Sequence, residues 1–360
     1  MNKQLYLVVV LLLCLSGAGA WLVHNSQQDV NKTVSNTPFI DYLLSDQTLN
    51  ETVNITGLQI ERNNTVIMQA ERVDGSWQSK HLSATKFFPV HDTELFESVR
   101  KITQAKIIEH KSAKPENHAK LGLADVNAEE GAGTLVSLQL KDKVNVSFLV
   151  GNRSSMRNGQ FVRLKGSAQM LMIDQVITLP DSPYAWLQNN LLSIEQADIS
   201  QIIRYQTNNQ TKTVNEAQGE STQTDTSLIL WKLVASTNDD SEDKLRLADI
   251  QNNESLAYEG VIDNVVASIN ELSFEQISEL NQEQWIADDT LLKLEIMTKR
   301  GKLYTIEAKA LEQDYAVRVY SSDPNQSAYL HDWQFVIPSY QIEALLKGRD
   351  DFVIVQNSNE

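Results

Sequence analysis

The sequence predicts an α+β protein: two tandem copies of one antiparallel-sheet-plus-helix module, following a single N-terminal transmembrane helix. Three observations carry this. Strand-like segments recur in one order: TLVSLQL (134–140) as TLLKLEI (290–296), VNVSFLV (144–150) as KLYTIEA (302–308), FVRL (161–164) as AVRV (316–319), and VITLP (176–180) as QFVIP (334–338). Their spacing is nearly constant, which is the mark of a duplicated unit. The strands also come in consecutive runs rather than alternating singly with helices, which favours antiparallel sheet over a parallel α/β fold. Finally, residues 5–23 form an uncharged, mostly apolar run.

That run, at helical rise, reaches about 28 Å, close to a bilayer's hydrocarbon thickness. Tyr6 and Trp21 stand near its ends, where aromatic side chains favour the membrane interface. Lys3 precedes the run and the next lysine is Lys32, so the positive-inside rule puts the N-terminus in the cytoplasm and the bulk of the chain outside. The expected location is single-pass in a bacterial inner membrane, with a periplasmic body. Ala18-Gly19-Ala20 offers the rival reading of a cleaved signal peptide. Both readings export the rest. Cys14, the sole cysteine, lies inside this run, so the exported part forms no disulfide and relies on burial and backbone pairing.

Residues 24–54 are polar and read as a spacer, broken by FIDYLL (39–44). The first module is expected over 55–197. ITGLQIER (55–62) and TVIMQAER (65–72) alternate, and Asn63-Asn64 between them suits a tight hairpin. GSWQSKHL (75–82) is a third short strand. A helix follows, capped by Asp92, with Leu95, Phe96, Val99 and Ile102 on one apolar face. AKIIEH (105–110) is a strand, KSAKPENHAKLGL (111–123) a flexible charged loop, and 134–179 a meander. YAWLQNNLLSI (184–194) closes the module as a short helix.

The second module, 198–354, repeats the plan. ISQIIRY (199–205) and SLILWKLVA (227–235) pair across a polar insert at 207–226. A helix over 261–272 carries Ile262, Val265, Val266, Ile269 and Leu272 on one stripe. SFEQIS (273–278) answers AKIIEH. The repeated meander and a closing helix over 338–348 complete the copy, and 355–360 is a polar tail.

Chemistry is sparse. The formal net charge of −16 repels nucleic acid and anionic headgroups. The six histidines show neither an H-x-H nor an H-E-x-x-H spacing, and His110 and His118 flank the lysine-rich loop as surface residues. No G-x-S-x-G, P-loop or G-x-G-x-x-G occurs. The sequence therefore offers no catalytic residue, no metal site and no cofactor. Arg163 and Arg318 occupy equivalent strand positions. They read either as a duplicated anion or partner contact, or as strand arginines paired with nearby carboxylates, with Asp174 and Asp332 in comparable places. The tryptophans beyond the apolar run read as core or module-interface residues.

GLQIER (57–62), GSWQSK (75–80), PENHAKLGL (115–123), FLVG (148–151), GQFVRL (159–164) and WLQNNLL (186–192), in this order behind one anchor, resemble the domain-of-unknown-function 4340 family. Family members are typically membrane-anchored bacterial envelope proteins, and many are encoded beside ABC transporter components of the gliding-motility type. The resemblance implies a non-enzymatic accessory protein with an ABC-type permease or another envelope protein as partner. It carries over no site residues. The alternative expectation is a periplasmic ligand-binding module using a groove between the two repeats.

Overall fold

The computed structural model describes residues 36–45, 54–141, 145–207, 228–236, 244–285 and 289–356. The expected anchor at 1–23, with Tyr6 and Trp21, and much of the spacer lie outside the described residues, as does nearly all of the insert at 207–226. No helix among the described residues is long and apolar enough to cross a membrane. The chain is mixed α+β and divides into two units, residues 1–77 with 92–183, and residues 78–91 with 184–360.

The elements of the first half are α1 (Phe39–Leu43), β1 (Ile55–Arg62), β2 (Thr65–Val73), β3 (Ser76–Ser79), α2 (Asp92–Gln104), β4 (Ile107–His110), β5 (Thr134–Leu140), β6 (Asn145–Arg153), β7 (Gln160–Leu164) and β8 (Met170–Ile173). Its sheet runs β3-β2-β1-β5-β6-β7-β8-β4. Asn63 and Asn64 both take positive φ, 49° and 59°, so the β1–β2 hairpin turns as the Asn pair predicts. Alternation sends Ile60, Met68, Val136 and Phe148 to one face, in register across four strands, and all four are buried. α1 covers this face: Phe39 is fully buried and meets Phe148 edge to face at 5.1 Å. Residues 39–44 are therefore not part of a spacer. They are apolar enough to be drawn into the core.

The opposite face of this sheet is partly closed too. Residues 111–123, expected to be a flexible loop, and the residues after them up to 133 fold back over Leu135 and Leu149 and bring Leu123 with them. Two single 3-10 turns, Pro115–Asn117 and Ala119–Leu121, shape this cover. It lies very close to the sheet. A Cβ added at Gly151 would stand 2.4 Å from the Leu121 carbonyl oxygen. His118, expected at the surface, is buried, with Nε2 2.9 Å from the Ala168 carbonyl oxygen.

The second half contains β9 (Ile199–Tyr205), β10 (Ile229–Ala235), β11 (Leu245–Leu247), β12 (Glu254–Leu256), α3 (Val261–Asn270), β13 (Gln276–Glu279), β14 (Leu292–Thr298), β15 (Leu303–Ala310), β16 (Tyr315–Ser321), α4 (Pro324–Leu330), β17 (Trp333–Ile337), α5 (Ser339–Glu343) and β18 (Val353–Val355). Its main sheet runs β11-β10-β9-β14-β15-β16-β17-β13, the same path as the first, while β12 and β18 pair separately. α3 buries Val261, Ile262, Val265, Val266 and Ile269, the stripe that its spacing predicts.

The structure corrects several expectations. The counterpart of β17 is β8, not 176–180, which forms no strand. The spacing drifts because α4 is inserted before β17. α4 has Pro324 in its first turn, and the Asp323 side chain accepts from the Asn325 amide. Residues 184–194 are irregular rather than helical, because their amides are taken by distant carbonyls: Gln188 N donates to Pro89 O, and Leu191 N to Leu272 O. Burial of Trp186, Leu187, Leu191 and Leu192 moves the boundary from 197/198 to 183/184. The closing helix is short, Ser339–Glu343, followed by a turn.

The second unit is built from two pieces of chain. Phe88, from the 78–91 segment, is 1% exposed inside its core. The ring meets Phe274, Tyr329, Trp333 and Phe335 at centroid distances of 5.5, 5.5, 6.1 and 5.9 Å. Trp333 Nε1 donates to Phe87 O at 3.1 Å, and His91 N to Trp186 O at 2.7 Å. Burying such a ring is worth about 2–3 kcal/mol in transfer alone.

Candidate functional site

α2 follows the 78–91 segment, packs against α1, and shares a groove with residues of β1, β2 and β3. Its apolar residues span more of the helix surface than is buried. Leu95 and Ile102 are buried, as is Ser98, whose hydroxyl has no hydrogen-bond partner. Phe96 is 61% exposed, and Val99 is half-buried. The four-residue face expected from spacing is therefore split: two members enter the core and two remain outside.

The outer pair borders a groove of about 730 Å³ within the first unit. Ile55, Trp77 and Leu95 also line it, with Arg72, Asp92 and Arg100 among the polar groups. The Glu97 carboxylate holds Arg100 through contacts of 2.6 to 3.2 Å, and Gln104 accepts from Nη1 at 3.0 Å. The same pairing lowers the Glu97 pKa and raises that of Arg100. Arg72 donates only to the Gly75 carbonyl, at 3.3 Å, and has no carboxylate partner among the described residues. Thr103 Oγ1 turns inward, 3.1 Å from Val99 O and 3.0 Å from Arg100 O. Among the described residues Asp92 is the one carboxylate of the lining, which contains neither histidine nor cysteine. Among the described residues the arrangement offers an apolar surface with one guanidinium, that of Arg72, lacking a carboxylate partner, suited to binding by burial and one charge contact. All of its lining residues belong to the first unit.

Arg163 and Arg318 stand at equivalent register, opposite Leu149 and Glu307 of corresponding strands. Their surroundings differ. Arg163 is 4% exposed and clamps the folded-back segment: Nε donates to Leu123 O at 2.9 Å, Nη1 to Ser167 O at 2.8 Å, and Nη2 to Asp125 Oδ1 at 2.5 Å. Arg318 pairs with Glu307 at 2.5 Å and stacks against Trp285 and Tyr320, 4.6 and 5.3 Å from the ring centroids. Neither pairs with Asp174 or Asp332. Asp174 accepts the Lys106 amide at 2.8 Å, and Asp332 lies 3.5 Å from Lys86. These two aspartates also differ in place, one following its strand and the other preceding it.

The corresponding face of the second sheet carries charge where the first carries leucine. Tyr205, Lys293, Glu307 and Arg318 lie in one cross-strand row. Tyr205 donates to Glu295 at 2.7 Å; burial and this acceptor push its phenol up to about 12. Sequence reading missed Arg204, which points into the core and is 2% exposed. It donates to the Lys347 carbonyl, which also accepts from Trp231 Nε1 at 2.8 Å, and its own Nε has no partner. Its place in the alternation, on the same side as Ile202, was the available signal. Trp186, Trp231, Trp285 and Trp333 are buried as expected, whereas Trp77 is half-buried at the groove. Among the described residues no group of three or more His, Cys, Asp or Glu side chains is placed to hold a metal.

No curated protein and no solved structure matches the chain at a significant level. A family model, Domain of unknown function (DUF4340), matches residues 77–293, more than half of the chain, beginning at the groove tryptophan and ending at the start of β14. By that match the chain belongs to the DUF4340 family.

Proposed function

We propose that this is a non-enzymatic, single-pass membrane-anchored protein of the bacterial envelope that works beside an ABC-type transport system. In this reading the groove of the first unit receives an apolar segment of a partner protein. The observation that carries it is Phe96, a large aromatic left 61% exposed on a helix beside half-buried Trp77 and an Arg72 that has no carboxylate partner among the described residues. Aromatic residues and arginine are the side chains most often found at the energetic centre of protein interfaces. The apolar run at 5–23 and the polar stretch after it support tethering near a membrane partner.

A second reading, a ligand-binding module, is favoured by the groove's volume, which falls in the range of small-molecule sites. Photocrosslinking in the native membrane separates the two. A photoreactive residue at Phe96 is compared with one at Tyr340, which is 71% exposed in the second unit. The proposal expects capture of an ABC-type permease subunit from position 96 alone. Equal capture from both positions, or none from 96, overturns it, and the absence of any protein adduct turns attention to small ligands.

A further inference from the structure

We infer that the free edge of β18 pairs with the same edge of a second copy of this chain, joining two β12–β18 ribbons into one continuous sheet. β12 and β18 pair only with each other among the described residues, in the register Glu254↔Val355, Ser255↔Ile354 and Leu256↔Val353. At the two ends of this ladder, Gln356 N donates to Asn253 O at 2.8 Å and Ala257 N to Phe352 O at 2.9 Å. In an antiparallel ladder, hydrogen-bonded pairs alternate with non-bonded ones. Those two bonds therefore make Ser255–Ile354 the bonded pair between them. They turn the amides and carbonyls of Val353 and Val355 away from β12, toward the open edge. Among the described residues nothing else hydrogen-bonds to these outward groups.

The two edges of the ribbon differ. On β12 the outward Glu254 amide is already used, donating to Gln251 O at 3.0 Å, and Arg349 holds the Glu254 carboxylate at 2.6 and 2.8 Å. β18 carries neither charge nor proline, the usual devices that keep an edge from pairing. Its Ile354 is 53% exposed and its Val355 60%. By contrast β13, at the rim of the main sheet of this unit, shows Gln276, Ser278 and Glu279 to solvent.

The occupant follows from the symmetry of the edge. A two-fold axis at Ile354 sets Val353 opposite Val355 of the second copy, and Val355 opposite its Val353. Each such pair exchanges two N–H···O bonds, so none of the outward groups stays unpaired. Ile354 then meets Ile354 as the close, non-bonded pair on the axis. Next in line Phe352 faces Gln356, so the register sets no like charges directly opposite. This self-complementarity is what a two-fold interface requires. The strand is short, so the dimer belongs with the weak, transient interfaces below about 1,200 Å². The net charge of −16 opposes approach, but at physiological salt that repulsion is screened beyond about 8 Å, and the strand itself is uncharged.

The test is disulfide trapping of the full-length protein in intact expressing cells under mild oxidation, with Cys14→Ser removing the natural thiol. Ile354→Cys places two thiols on the axis, where Cα atoms about 4.5 Å apart allow a disulfide. Leu256→Cys on β12, 38% exposed, and Tyr340→Cys, 71% exposed, are the controls. Ile354→Cys is expected to give at least about tenfold more covalent homodimer than either control. Adding Val355→Pro removes an outward amide that β12 does not use. The yield should return to the control level with the melting temperature unchanged. Val355→Glu, on an exposed side chain, serves the same purpose if the proline variant melts early. The inference is overturned if Ile354→Cys yields no more dimer than the controls, if both edge variants leave its yield intact, or if the disulfide joins a different protein instead.

Discussion

Arg163 and Arg318 share a register position, yet their removal should have unequal costs. In Arg163→Ala the carbonyls of Leu123 and Ser167 lose a charged donor inside a covered site, where the guanidinium is only 5% exposed. Asp125, 71% exposed, adds little, because water takes over its solvation. Two charge-assisted bonds to backbone, lost without replacement by water, amount to about 3–5 kcal/mol. For a unit of this size that lowers the first unit's melting temperature on the order of 10 °C. Arg318→Ala breaks a pair whose side chains are 20% and 13% exposed, and an aromatic stack, worth about 1–2 kcal/mol. Arg163→Lys keeps the charge but not the three-pronged fork, so it should fall between the two. The assays are thermal melting of the purified protein and trypsin cleavage after Lys111 and Lys120, which Arg163→Ala should expose. Equal losses for the two arginines, or an Arg163→Ala protein with residues 111–133 still protected, would refute the clamp.

Arg204→Met should stabilise the second unit by about 1–4 kcal/mol, since it removes a buried charge while Trp231 still satisfies the Lys347 carbonyl; a lower denaturant midpoint would count against this. The Arg349 hydrogen bond, helped by the Gln251 amide, holds the Glu254 carboxyl at about 2, below its ordinary 4.5. Its contribution is thus complete above pH 4.5 and is lost as pH falls toward 2. Melting temperatures of Glu254→Gln should fall less steeply across that window than those of wild type; parallel curves would remove the assignment. Replacing 208–227 with Asn-Gly should leave the melting temperature within a few degrees, because Gln206 N already donates to Leu228 O at 2.7 Å and closes the ladder there. A large loss would show that the insert contributes to the fold.

The sheets were legible because antiparallel strands alternate over most of their length, and because strand-like segments recurring in one order could be read against each other. Asn63-Asn64 needed no tertiary information, since its turn is a local preference. Three features escaped for one reason: their conformation is decided by distant partners. Residues 184–194 have helical spacing, yet their amides bond Pro89 and Leu272. Residues 111–123 look solvated, but Leu123 and His118 are drawn onto the sheet. Phe88 sits in a stretch without periodicity, where only the run Phe87-Phe88-Pro89-Val90 marks apolar character. At the groove, periodicity found the helix and its apolar side chains, but exposure of Phe96 depends on how far the sheet extends, which no local pattern encodes.

Seating Phe88 in the second core also imposes a schedule. A chain made from its N-terminus completes Phe88 long before Phe274, Trp333 and Phe335 exist to receive it. In the interval this ring has no slot and presents an adhesive stretch to chaperones and to neighbouring nascent chains. Any product that stops short of β17 keeps that stretch open, so incomplete chains carry a built-in mark for quality control.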